Sequence, residues 1–180
     1  DSLPSRGLGD VYKRQIAQIL INSRMSAEGH RPICQDTGIV TCFVNIGMGV
    51  QWDSADMTVQ QMVDEGVRQA YTNPDNPLRA SVLMDPAGKR INTKDNTPAV
   101  VHINMVPGDK VEIQIAAKGG GSENKTKMVM LNPSDDDIAE WVEKTLPAMG
   151  AGWCPPGMLG IGIGGTAEKA VSYTHLRAHE

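Results

Sequence analysis

The sequence predicts an α+β fold of mixed helices and sheet, and three observations carry that expectation. Apolar residues recur at helical spacing in residues 15–26, 57–71 and 138–146. Runs rich in Val and Ile at 39–50, 100–106 and 110–117 have the continuous or alternating apolar pattern of strands. The length of 180 residues fits one globular domain with a core of its own.

Taken in order, residues 15–26 place Ile16, Ile19, Leu20 and Met25 on one helical face, and Gly29 supplies a stop. Residues 1–14 show neither a helical stripe nor strand alternation. Pro32 restricts the approach to the segment Cys34–Gln35–Asp36–Thr37–Gly38, after which the apolar run 39–50 reads as a strand. Asp56 is the expected cap of a helix carrying Met57, Val59, Met62, Val63, Val67 and Tyr71, and the prolines of residues 73–77 end it. A strand is expected at 81–85 and a turn at 86–89. The runs 100–106 and 110–117, joined by Pro-Gly-Asp, have the alternation and turn chemistry of a β-hairpin. Three glycines, 119–121, then lead into a polar cluster. Ile138, Trp141, Val142 and Leu146 form a third helical stripe, residues 158–163 look strand-like, and Thr166 begins a last helix.

Composition excludes several classes of function. With 17 basic against 21 acidic side chains the net charge is -4, and the cations are scattered, so nothing favours nucleic acid. No apolar run reaches the roughly 18 residues that a membrane span needs. Aromatic residues are only 4% of the chain, so Val, Ile, Leu and the ten Met must build the core.

Three cysteines, an odd number without a signal peptide, argue against a disulfide scaffold. Cys42 lies in an apolar run and reads as core. Cys34 and Cys154 each stand beside a backbone constraint, and folding could bring them together as metal ligands. Gly160, Gly162 and Gly165 match the dinucleotide glycine formula, yet they lie partly inside an apolar run and lack the acidic ribose partner expected about 20 residues on. His175 and His179 share a helical face, but the segment between them lacks the glutamate of a metalloprotease helix.

Five motifs in order, PICQDTG, NPLRAS, INTKDNTPAV, AAKGGGSENKTK and AGWCPPGMLGIGIGGTAEKA, resemble the iron-sulfur hydro-lyases of the class I fumarase family, with L-tartrate dehydratases as near relatives. The resemblance runs from residue 15 to Ala170. It sets off 1–14 and 171–180 as segments outside the family, and it marks 15–170 as part of an incomplete alpha-type catalytic domain. The missing initiating Met and the abrupt end at Glu180 fit a piece of a longer protein.

The resemblance implies a [4Fe-4S] cluster held by three cysteines. Cys34 and Cys154 take two ligand positions, and the third lies beyond the chain. It further implies that Gln35, Asp36 and Arg79 bind the dicarboxylate and its hydroxyl region, that Asp36 accepts or relays a proton, and that Gly121 offers a backbone contact. Lys118 and Ser122 are secondary candidates. The planar fork of Arg79 suits two carboxylate oxygens.

The implied reaction is reversible hydration of fumarate to (S)-malate, a step of the tricarboxylic acid cycle, by a cytoplasmic homodimer or with a beta subunit. The piece alone should be inactive. Tartrate dehydratase, or another hydroxydicarboxylate hydro-lyase, is the nearer alternative; a noncatalytic binding or interaction domain is the more distant one.

Overall fold

The computed structural model describes residues 5–75, 78–134, 136–150, 152–153 and 157–177. The chain divides into two compact units, Gln35–Asn124 as one, and Asp1–Cys34 with Lys125–Glu180 as the other. Helices and a small mixed sheet make it α+β, as expected.

In the unit Gln35–Asn124, strand β1 (Ile39–Gly47) is followed by helix α2 (Val59–Thr72). Short strands β2 (Leu83–Met84) and β3 (Ile91–Asn92) come next, then β4 (Val100–Val106), β5 (Val111–Lys118) and a single helical turn, α3 (Gly120–Glu123). The main sheet has the order β4-β1-β5, with β1 parallel to β4 and antiparallel to β5.

This order corrects the expected hairpin. β4 and β5 pair with β1 between them and not with each other, because alternation specifies which face is buried and says nothing about which neighbour a strand takes. The Pro-Gly-Asp connection instead wraps over the end of β1. There Gly47 donates to the Lys110 carbonyl (2.8 Å), Met48 to Val106 (2.9 Å) and Gly49 to Gly108 (2.7 Å). A Cβ on Gly47 would lie 2.5 Å from the Gly108 oxygen, so the wrap requires glycine.

β1 is central, and its residues pack according to the two-residue strand period. Cys42, Val44 and Ile46 are buried with Val50, Val59, Val63 and Val101, while Val40 packs with Val67, Tyr71 and Ala99. Each such aliphatic side chain removed from water stabilises the fold by about 1.5–3 kcal/mol. On the other face Phe43 stacks on His102 at 4.9 Å, and Asn45 donates to Glu112 at 3.3 Å. These are cross-strand pairs fixed by the register.

Helix α2 starts later than expected. Thr58, not Asp56, is its cap: the Thr58 hydroxyl accepts from the Gln61 N–H at 3.2 Å, and the Gln61 side chain accepts from the Thr58 N–H at 2.8 Å. The spacing Thr-x-x-Gln is a capping box, which satisfies two backbone donors at once. Asp56 pairs locally with Ser54 instead. At the other end Asn73 closes an Asx turn by accepting from the Asp75 N–H at 2.9 Å.

In the other unit, α1 (Ser5–Gly29) begins ten residues before the expected start at residue 15. Its Ile16, Leu20, Ile21 and Met25 are exposed. Residues 5–14 contain no Pro to break the helix, and Gly7 and Gly9, which weaken a helix, do not end it. Asn22 donates to the Ile33 carbonyl at 2.9 Å and so ties this helix to the segment that ends at Cys34.

Helix α4 (Ile138–Met149) is capped by Asp137, which accepts from Ala139 and Glu140, and Gly150 ends it at φ 65°. α5 (Ala167–Arg177) starts at Thr166, whose hydroxyl accepts from Lys169 at 3.2 Å. Residues 158–163, expected as a strand, pair with no strand among the described residues. Their apolar residues alternate with glycines that offer no side chain to pack. No described helix is long and apolar enough to cross a membrane.

Replacing Thr58 by Ala removes half of the capping box and is expected to cost about 1 kcal/mol, read as a lower urea midpoint with an unchanged slope. An unchanged midpoint would mean that the box does not hold α2.

Candidate functional site

The segment after Cys34 forms a tight turn into β1. Asp36 accepts from the Gly38 N–H through Oδ1 (3.1 Å) and from the Gly120 N–H through Oδ2 (2.7 Å), a residue 84 positions on. One carboxylate therefore holds the glycine run against the start of β1. Gly38 is at φ 82°, and a Cβ there would come within 2.5 Å of the Lys118 backbone, so both conformation and space demand glycine.

Thr37 reaches the other way. Its hydroxyl donates to the Arg79 carbonyl (2.7 Å) and accepts from the Arg79 N–H (3.1 Å). The Arg79 side chain is exposed and enters none of the ion pairs of the described residues. A cation on a fixed backbone and facing water is available to an anionic ligand.

Beneath the turn lies Asn96, fully buried at 0% exposure and at φ 62°. Its Nδ2 donates to the Gly38 carbonyl (2.9 Å), and its Oδ1 accepts from Ser81 (2.7 Å) and Val82 (3.2 Å). Tyr71 donates to the Thr37 carbonyl at 2.8 Å, and burial pushes its phenol pKa up. Asp95, next to Asn96, accepts from the Thr97 backbone and from Arg68 (3.0 Å); its pKa is lowered, chiefly by the backbone bond.

Of the residues singled out from sequence, Asp36, Arg79 and the 119–121 run with Gly121 are drawn together in this one unit. Gln35 is exposed on the same turn. Lys118 forms an ion pair with Glu123 at 3.8 Å. Cys34, directly before Gln35, is partly buried and in no disulfide among the described residues. Cys42 is buried at 1% exposure, as expected for core, and burial raises its thiol pKa. Cys154 lies outside the described residues, and so does His179.

Sequence reading missed Thr37, Asn96 and Tyr71 as parts of the site. Tyr71 was assigned only to a helix face. Asn96 stood in a polar stretch, and the only local signal is its neighbourhood of turn-forming Asn, Asp and Pro, which does not show burial.

One turn thus bonds the backbone of Arg79 through Thr37 and the Gly120 N–H through Asp36, and the Arg79 side chain is exposed. The family comparison gives that arrangement a narrower identity. The family model described as fumarate hydratase (fumerase) matches residues 7–178, and the chain belongs to this family.

A protein of Methanocaldococcus jannaschii provisionally named L(+)-tartrate dehydratase subunit alpha is 33% identical over 90% of this chain and 58% of its own length. The anaerobic class I fumarate hydratase of Escherichia coli K12 is 30% identical over 84% of this chain and 28% of its own length. An E. coli L(+)-tartrate dehydratase subunit alpha is 28% identical over 83% and 49%. The chain thus spans between about a quarter and three fifths of the length of these relatives.

Two outcomes test the geometry. Asn96→Asp keeps the acceptor but turns an oxygen toward the Gly38 carbonyl, and it should destabilise the protein by about 1–3 kcal/mol in urea unfolding; no change would refute its buried bonding. In metal-free protein a thiol reagent should label Cys34 well before Cys42, read by peptide mass; faster labelling of Cys42 would contradict its burial.

Proposed function

We infer that the full-length protein is a hydro-lyase that interconverts fumarate and (S)-malate. The observation that carries this reading is the joint anchoring of Asp36, Arg79 and the 119–121 backbone by one turn. A dicarboxylate with a hydroxyl needs that combination: a planar cation for one carboxylate, backbone donors, and an oriented acceptor near the hydroxyl. Membership of the family supports the reaction class. The relatives named as class I fumarate hydratases support the substrate.

The donor chemistry of the turn fits an iron-sulfur cluster. Cys34 is a partly buried thiol two residues before Asp36 in the sequence, whereas Cys42 is sealed in the core and its pKa is raised by burial. Among the described residues no three His, Cys, Asp or Glu side chains are gathered. Cys154 lies outside the described residues; on this reading Cys34 and Cys154 take two ligand positions, and the longer protein supplies a third cysteine and further acid-base groups. When bound, a [4Fe-4S] cluster supplies an iron with an open position as Lewis acid.

The chain's own residues do the rest. Arg79 binds a substrate carboxylate through its fork, Gln35 and the Gly121 backbone complete the contacts, and Asp36 is oriented to take or return a proton at the hydroxyl. The proposed catalytic region is residues 15–170. It acts in the cytoplasm, either as a homodimer of the longer chain or with a beta subunit. The second arrangement is supported by the relatives named as alpha subunits, whose names also favour tartrate as a second reading.

Full-length protein reconstituted anaerobically with iron and sulfide should hydrate fumarate and dehydrate malate faster than it dehydrates tartrate. Cys34→Ser should lose the visible cluster absorbance, and Arg79→Lys should lower kcat/KM by about 10- to 100-fold. Turnover of tartrate alone would establish the second reading. Absence of iron, sulfide and all three activities would leave a noncatalytic binding domain.

A further inference from the structure

We propose that Thr37 is the positioning residue for Arg79, linking the carboxylate-binding cation to the turn that carries Asp36. This rests on the reading of Arg79 as the carboxylate-binding group. Arg79 lies outside any strand or helix, so no ladder fixes its φ and ψ. Side chains replace the ladder, one residue at a time. Thr37 takes both backbone polar groups of Arg79, Asn92 donates to the Ala80 carbonyl at 2.8 Å, and Asn96 accepts from Ser81 and Val82.

Of these three, Thr37 alone belongs to the turn and is covalently next to Asp36. Its own backbone is held in turn by Tyr71 at the Thr37 carbonyl. The same residue thus receives its position from the core and passes it to Arg79.

A threonine suits this role because one hydroxyl is both donor and acceptor and its branched Cβ restricts χ1. A displacement of Arg79 by a fraction of an ångström changes how its fork meets two carboxylate oxygens, which weakens binding before it changes the chemical step. Thr37 touches no substrate in this account. Its effect is transmitted entirely through the Arg79 backbone.

The test uses the full-length holoenzyme. Thr37→Val is nearly isosteric and lacks the hydroxyl, and Thr37→Ser keeps the hydroxyl. Thr37→Val should raise KM for fumarate and malate about fivefold with kcat within about twofold. Thr37→Ser should return KM to within about twofold of the parent. Should Thr37→Val fail to fold, Thr37→Ala makes the same comparison. An unchanged KM in the hydroxyl-free variant, alongside a raised KM in Arg79→Lys, would overturn the proposal while leaving the role of Arg79 intact. An unchanged KM in Arg79→Lys and Arg79→Ala would overturn both. Equal loss in the Val and Ser variants would assign Thr37 to packing and also overturn it.

Discussion

The buried amide of Asn96 is the interaction on which the unit Gln35–Asn124 depends. It has no exposure to water and bonds three backbone groups that no ladder pairs: the Gly38 carbonyl and the Ser81 and Val82 N–H groups. The Gly38 carbonyl also accepts from the Tyr71 hydroxyl at 3.4 Å, and leaving a buried N–H such as those of Ser81 and Val82 without a partner costs about 1–3 kcal/mol. An Asn at this point satisfies all three because it has a donor end and an acceptor end on one rigid plane. It does so from a left-handed backbone conformation, one that Asn tolerates better than most residues.

The consequences run outward from that amide. With Gly38 held from below and unable to carry a side chain, the turn before β1 has one geometry. Asp36 then meets the Gly120 N–H, and Thr37 meets Arg79, so two segments distant in sequence are referred to the same three residues. β1 continues the rigidity, because it is the central strand and its buried residues pack under α2. Site and core are one construction. The Arg79 backbone is therefore referred, through Thr37 and Tyr71, to the packing of Val40, Val67, Tyr71 and Ala99.

Much of this was legible in the sequence. Period and propensity located β1, α2, β4, β5 and α4, since each has an apolar pattern long enough to fix its type. The motif order brought Asp36, Arg79 and Gly121 forward before any geometry was known. What the sequence could not show was pairing and depth. The runs 100–106 and 110–117 look like a hairpin because their alternation is equally consistent with a shared neighbour, and β1 lies between them. The cap of α2 moved from Asp56 to Thr58 because a capping box needs Gln61 three residues on, a reciprocal geometry that a lone acidic residue lacks. The sequence shows Asn96 only as one residue of the polar motif INTKDNTPAV, and three long-range bonds reveal it as a buried brace.

The central claim is that the turn at Asp36 presents Arg79 and the glycine backbone to one dicarboxylate. It is tested most directly by a crystal structure of the full-length protein with (S)-malate bound. The account predicts one malate carboxylate within hydrogen-bond distance of two of the three guanidinium nitrogens of Arg79, and the Gly121 N–H and the Asp36 carboxylate in contact with the same molecule. Malate bound elsewhere, with Arg79 turned to solvent and the 119–121 backbone untouched, would contradict it.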